Sequence, residues 1–512
     1  MTVDRGADPD AACPPARPPV TRRADRRELI AISAWGAGLV VVFALSSWRL
    51  SLVEFFPGEA AEALDFTKII GEWPAATAQY VGVVVSAFAL YLAAVALTWR
   101  RRLRLPPVVL FGFPVLFALA LVPMYPPTAS DLIHYHGSSR VLWAHGFNPL
   151  TVPPGEFSYP VTYYWSGQPT PYGPAWSLLS GVVTWPAGEH ALAALHGFKV
   201  LAAASYLGCA YVVWRLVARL WPGDETLAVV AFAWNPFVLY RVVGNGHNDL
   251  VMMLCVLLGL AAFEQRRWTA GMVAVTLSVL VKYVGLLLAP LFVLYLWQHA
   301  GPRWRDRVRA VAEAGAWSAL VAALTFLPFW EGLSTFDTVR AESEKLITST
   351  AIAISVAQTG HPDDVGLHRA ALGVLRWTFV AIAALLWWQS RHDTPRLIAA
   401  SFSVLMLYLL LAAGWFRPWY LLWPVAVAAL APRSWLTVVV LAVTFFGSFA
   451  DLIEQYRVHW DLTADYTRAV LAPILVVWVP LVAAWAAGIL RWGSWSMGLD
   501  ARAQPRGRRA GE

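Results

Sequence analysis

The sequence predicts an all-α polytopic membrane protein, a helical bundle of about 13–15 membrane helices, and three observations carry that prediction. Of its 512 residues 58% are hydrophobic and only 14% charged, too little polar surface to keep a soluble domain of this size in solution. Apolar runs of about 15–23 residues recur along nearly the whole chain, close to the roughly 20 that a helix needs to cross the hydrocarbon layer. The runs are continuously apolar, as in AWGAGLVVVFALSSW and LVMMLCVLLGLAAF. A membrane barrel would instead alternate apolar and polar residues in segments of about ten.

The runs place spans at 29–48, 76–98, 105–123, 190–215, 225–243, 249–264, 267–281, 283–298, 309–330, 370–390, 396–414, 418–431, 434–450 and 469–490. The chain carries a net charge of +7, but its basic residues fall in short clusters between apolar runs. That pattern reports topology and argues against a nucleic-acid partner. The clusters are Arg22 to Arg27, Arg100 to Arg104, Arg215 and Arg219, Arg266 and Arg267, Arg303 to Arg309, Arg391 to Arg396, Arg433 and the tail after Trp492. Alternating spans bring all of them to one side if 174–187 is a re-entrant or interfacial helix, and the positive-inside rule makes that side cytoplasmic. The expected organisation is a disordered basic cytoplasmic tail over 1–28, one transmembrane domain over 29–490 and a basic cytoplasmic tail over 491–512. The protein is thus expected to be a multi-pass membrane protein with both termini cytoplasmic. Cys13, Cys209 and Cys255 have no spacing that makes a disulfide framework or metal site.

The long outer segments are then 49–75, 124–189 and 331–369. Segment 124–189 is dense in Pro, Gly, Tyr, Trp and His where a connector needs only a few residues, so it reads as a working loop. Within it Asp131 to His145 suits a short helix capped by Ser130 or Thr128, with Leu132, Ile133, Val141, Leu142 and Trp143 lying against the interface. Asp131 is either a solvated capping residue or a general base aimed into a cavity. His134, Tyr135 and Arg140 follow at helical spacing. His134, His136 and His145 with Asp131 are too irregularly spaced for a recognised metal site, so no metal or other cofactor is expected.

Two further stretches load the same boundary. WNPFVLYRVVGNGHNDLVMM sets Arg241, Asn245, His247, Asn248 and Asp249 at the junction of two spans, as a plain polar hairpin or as part of a site. Lys282 sits in an apolar stretch of about 30 residues. A break there keeps Arg303 to Arg309 on the cytoplasmic side and brings the lysine to the outer interface, either to snorkel or to meet a phosphate. Arg417, in GWFRPWYLLWP, has the same two readings and three aromatic neighbours. Cations, carboxylates and aromatics at one level suit a substrate that combines sugar, phosphate and a lipid tail. A flippase for a lipid-linked sugar would use similar groups, but its expected internal repeat is not seen.

SDLIHYHGSSRVLWAHGFNPLT, PTPYGPAW, WNPFVLYRVVGNGHNDLVMM, LVKYVGLLLAPL and FRPWYLLWP occur in this order between about 125 and 425. Together they resemble the GT-C superfamily of polyprenyl-phosphate-sugar-dependent glycosyltransferases, specifically the actinobacterial mannosyltransferases that elongate lipomannan-type glycans with α-1,6-linked mannose. The resemblance implies a GT-C-like bundle in the plasma membrane of a bacterium. It also implies inverting transfer of mannose, or of another sugar such as arabinofuranose, from a polyprenyl-phosphate donor to a glycan or glycolipid acceptor on the extracytoplasmic face. Asp131 matches the family's first-outer-loop acid, its proposed base. Arg241, Lys282 and Arg417 become candidates for the donor phosphate, and His134, Tyr135, Arg140, Tyr172, His247, Asn248 and Asp249 for substrate. The acid follows the third expected span, whereas the simplest superfamily members place it after their first, so two spans stand as an N-terminal addition.

Overall fold

The computed structural model describes residues 21–56, 75–157, 165–360 and 364–453 with their side chains, plus a few isolated positions. Most of the expected span 469–490 and both tails lie outside these residues, apart from 21–28 at the first.

The chain enters through α1 (Arg26–Arg49), whose start is fixed by a capping box in which Asp25 and Glu28 satisfy each other's backbone amides. α2 (Ala75–Arg101) and the shorter α3 (Pro107–Leu121) pack against it. α4 (Asp131–Trp143) and α5 (Pro174–Ala187) follow, then the 30-residue α6 (Ala191–Leu220). α7 (Glu225–Ala233) stops before Pro236 and bends by 52° into the turn α8 (Pro236–Leu239), which a π-turn continues to Gly244. α9 (Asp249–Glu264), α10 (Trp268–Val281), α11 (Ala289–His299) and α12 (Trp304–Phe326) pack in sequence. The outer segment then forms α13 (Asp337–Glu344) and α14 (Thr350–Thr359). α15 (Val365–Ser390), α16 (Thr394–Leu407), the short α17 (Leu422–Ala428) and α18 (Trp435–Gly447) complete the bundle.

The all-α expectation holds: the strands among the described residues are two-residue ladders, Arg22–Arg23 beside Leu103–Arg104 and Ala61–Glu62 beside Val161–Thr162. Seven described helices are long and apolar enough to cross a membrane, eight if the bent pair counts as one. Several other expected spans form as apolar helices of 10–17 residues, because Pro and broken turns interrupt them, as at Pro107–Leu121, Trp268–Val281 and Pro418–Ala428. α5, at 14 residues, is about 21 Å long, the same length as α10.

At one end of the bundle, arginines expected on one side do gather. Arg433 pairs with Asp224 at 2.6 Å, Arg102 approaches the same carboxylate at 3.7 Å, and Arg104 approaches Glu225 at 3.6 Å. α1 and α2 run from this end for about 36–40 Å to the level of Arg241 and Asp131.

Candidate active site

The site is assembled from connectors. α4 begins at Asp131, but Ser130 makes no side-chain cap, and Thr128 is used elsewhere. The expectation that this helix lies on the interface is corrected. Leu132, Ile133 and Val141 are at most 1% exposed, because α4 is wedged between α5 and α6, and only its last turn, with Leu142 half-buried and Trp143 41% exposed, reaches the surface. Burial of Leu132 to Val141 fixes where the carboxylate at the start of the helix points.

Asp131 lines a cavity of about 760 Å³ and keeps 20% of its side chain exposed there. The Tyr172 hydroxyl donates to its Oδ1 at 2.7 Å, and His247 Nδ1 lies 4.0 Å from the same atom. Tyr172 is delivered by a close backbone approach. Gly173 N donates to Val281 O at 3.0 Å, and a Cβ on Gly173 would fall 2.0 Å from Leu280 O. Burial raises the Asp131 carboxyl, with the Tyr172 hydrogen bond and the Lys282 charge opposing it. The result is a carboxylate poised to take a proton.

Lys282 stands at the expected break. α10 ends at Val281, Lys282 is extended, and a 3-10 turn carries Tyr283–Leu288. Its ammonium bonds Asp249 Oδ1 at 2.7 Å and sits 5.3–5.5 Å from the Tyr172, Tyr420 and Trp423 ring centres. Trp423 Nε1 also donates to Asp249 Oδ1. This box holds a desolvated cation at the cavity wall. Arg417 lines the same wall, over Trp415 at 4.7 Å and Trp419 at 5.6 Å.

His247 stacks on Trp419 at 4.4 Å and is fully buried, and neither ring nitrogen has a hydrogen-bond partner among the described residues. Burial and the Lys282 charge push it down, so the imidazole is neutral. Asn248 receives the Tyr135 hydroxyl on Oδ1 at 3.2 Å, which links the two connectors behind the cavity. His134 lines the cavity, and burial pushes it down to about 4, so it too is neutral.

Two expected residues are placed elsewhere. Arg241 is buried in an ion pair with Asp451 and donates to Thr128 Oγ1 at 2.9 Å, so it lines a different cavity. The reason is local: the π-turn rotates its side chain toward Thr128, away from Lys282. Arg140 leaves the cavity as well and bonds Glu189 at 2.7 Å. Tyr135, His247, Asn248 and Asp249 are behind the wall, supporting the residues that form it.

The outer segment supplies residues not singled out in the sequence. Ile347 N donates to Gly414 O at 3.1 Å and Phe416 N to Thr348 O at 2.6 Å, laying 345–348 along 414–416. Lys345 thereby reaches 4.3 Å from the Trp165 ring centre and 5.1 Å from Trp415, on the cavity. Arg376 also lines it, anchored on Ser343 O at 2.8 Å and Ala412 O at 3.2 Å. Its signal was available, an arginine inside an apolar span. Lys345 gave no such signal. Lys199, fully buried in α6, donates to Gly244 O at 2.8 Å and to Met124 O, pinning the two connectors that carry His247 and Asp131.

Among the described residues no three His, Cys, Asp or Glu side chains gather as metal ligands would. The arrangement offers two cavity-facing carboxylates, Asp131 and the Glu342 that pairs with Lys345, a neutral imidazole on the lining at His134, and a set of cations interleaved with aromatics.

A profile of the family described as Alpha-(1->6)-mannopyranosyltransferase, N-terminal domain, matches residues 29–299. The chain belongs to that family. The match includes Asp131, Tyr172, His247, Asp249 and Lys282, while Arg417, Lys345 and Arg376 lie beyond it. It begins at residue 29, so all three expected spans ahead of the acid lie within the matched domain. Alpha-(1->6)-mannopyranosyltransferase A of Mycobacterium tuberculosis is 30% identical over 336 residues, 62% of this chain and 64% of that protein. The A enzyme of Corynebacterium glutamicum is 24% identical over 325 residues, 57% of this chain and 65% of its own length. The B enzyme of that organism is 24% identical over 404 residues, 70% and 63%. The matches thus span just under two thirds of each of these relatives.

Proposed function

We propose that this chain is a mannosyltransferase that moves mannose, with inversion, from a polyprenyl-phosphate donor to a hydroxyl of a lipid-anchored or growing cell-envelope glycan. The observation that carries the reading is Asp131 in the 760 Å³ cavity, hydrogen-bonded to Tyr172 and facing a wall of Lys282 and Arg417. Membership of a family described by α-1,6-mannopyranosyl transfer supports the sugar.

In this mechanism the acceptor hydroxyl attacks C1 of the donor sugar and passes its proton to Asp131. The bond from C1 to the phosphate oxygen breaks on the opposite face, and the electron pair leaves with the polyprenyl phosphate. A phosphate leaving group is a weak base and needs no proton, so a single carboxylate suffices. Lys282 and Arg417, with Lys345 and Arg376, answer its growing negative charge. Val284, Leu287, Phe379 and Val380 give the same cavity an apolar side suited to the prenyl chain. His134, neutral and on the lining, is placed to hold a sugar hydroxyl, while His247, buried behind Trp419, supports the wall beside Asp131. The reaction takes place on the extracytoplasmic face, the end of the bundle opposite the clustered arginines.

The test is transfer of labelled mannose from defined polyprenyl-phosphate mannose by purified protein, with product linkage read by NMR. Asp131→Asn should slow transfer by about 10²–10⁴-fold, the usual worth of a general base. Equal rates in the two proteins would remove Asp131 from the mechanism. Full activity with a nucleotide sugar and none with the lipid donor would overturn the donor assignment.

A further inference from the structure

A second cavity, of about 510 Å³, lies on the other side of the connector that leads to Asp131. α1 and α2 form its walls, and the turn from Tyr240 to Asn245 closes one end. The two cavities have only Pro127 and Thr128 in common. Thr128 Oγ1 accepts from Arg241 at 2.9 Å and from Asn245 at 2.6 Å, so the wall between them is hydrogen-bonded shut.

The walls are hydrocarbon: Val42 and Leu45 from α1, Val83, Val84 and Phe88 from α2. Leu45 is 57% exposed and Val83 37%, on two helices of 24 and 27 residues that are apolar enough to cross a membrane. The slot therefore opens toward lipid acyl chains and not toward water. Along α1 it runs from Val42 to Arg49, about 10 Å of helix. At the mouth stand Trp48, 76% exposed, and the exposed Arg49, which has no ion-pair or hydrogen-bond partner among the described residues. An apolar slot with a tryptophan and a free cation at its rim matches a lipid with a phosphate head, where the phosphate meets the guanidinium and a chain fills the slot. A glycan would leave most of its hydroxyls unanswered there.

We propose that this cavity binds an anionic glycerophospholipid, its phosphate on Arg49 and one acyl chain between α1 and α2, as a site separate from the one at Asp131. The bound chain backs the Pro127–Thr128 wall three residues ahead of Asp131, filling space that would otherwise let the connector shift.

The protein is placed in phosphatidylcholine nanodiscs with a trace of phosphatidylglycerol carrying a photoactivatable acyl chain, and the labelled peptides are mapped. A Cβ at Gly82, on the cavity wall, meets nothing within 4 Å, so a side chain has room to start into the slot there, and Gly82→Phe is the blocking variant. Label is expected on 42–49 and 79–88. It should be lost in Gly82→Phe, while labelling around the exposed Val374 and Trp377 is unchanged. Arg49→Gln should lower capture of the phosphatidylglycerol probe about ten-fold, the loss of one charge-assisted phosphate contact, and of a phosphatidylcholine probe less, because its choline cation already offsets the phosphate charge. Unchanged labelling of 42–49 and 79–88 in a folded Gly82→Phe protein overturns the site. Equal capture of both probes by the wild type overturns the head-group assignment. Displacement of the label by polyprenyl phosphate but not by phosphatidylglycerol would assign the cavity to the donor instead. None of these readouts depends on transfer activity, so they stand or fall independently of the proposed reaction.

Discussion

Asp131 is coupled to its surroundings through one strong hydrogen bond, and that bond gives a test with a sign. Burial raises its carboxyl above the ordinary carboxylate value, and a base works only when ionised. Transfer should therefore fall as pH drops through this raised value, and the acid limb of kcat/KM should lie above that of an ordinary aspartate. Tyr172→Phe removes the hydrogen bond that lowers this value, so the limb should move to higher pH; a limb that stays put would detach Tyr172 from Asp131. Lys282 tests the other half of the chemistry. Lys282→Gln should raise KM for the lipid donor more than KM for the acceptor, and it also strands Asp249 Oδ1 with Trp423 alone. Transfer unaffected by a chelator such as EDTA is expected of a site that works without metal, and loss restored by one divalent ion would reverse that reading.

At the scale of elements, the site depends on connectors held at short backbone distances. Gly173→Ala would drive a methyl carbon into Leu280 O at 2.0 Å, and neither α5 nor α10 can yield without moving Tyr172 or Lys282. The expected result is a folded protein with transfer reduced well beyond its loss of thermal stability, checked by comparing both in one preparation. Lys199 pins the other pair of connectors from inside α6. Lys199→Met leaves the carbonyls of Met124 and Gly244 without this donor, about 1–3 kcal/mol for each buried acceptor left unanswered, so a clear fall in the thermal midpoint is expected. A midpoint equal to wild type would mean that these carbonyls find water or other donors.

For the whole molecule, the question is which end faces out. The arginines at one end pair with Asp224 and Glu225, while Asp131, Lys282 and Arg417 occupy the other. A charge-based orientation then makes a plain prediction. In a Cys13→Ser background, Ser334→Cys, exposed on the outer segment, should react with a membrane-impermeant maleimide in intact cells. His392→Cys, exposed in the loop after α15, should react only after the cells are opened. The reverse pattern would place the cavity in the cytoplasm and end the case for a lipid-linked donor presented outside.

Much was legible in one dimension. Continuous apolar runs demand helices, because in lipid each backbone polar group must be satisfied within its own segment, and that determined the fold class and most span positions. The basic clusters and the long apolar stretch around Lys282 determined where a helix had to break, and the break is there. The sequence also marked Asp131, Lys282, His247 and Arg417 as a set at one level. It did not determine which of the residues at that level share a cavity, since lateral convergence depends on how helices pack and turn. A π-turn sends Arg241 to Asp451 and Thr128, and dense packing around α4 buries a helix whose composition suited an interface. Backbone contact between 345–348 and 414–416 brings Lys345 from a distant loop to the cavity. Such contacts join residues tens to hundreds of positions apart, and only the folded bundle decides them.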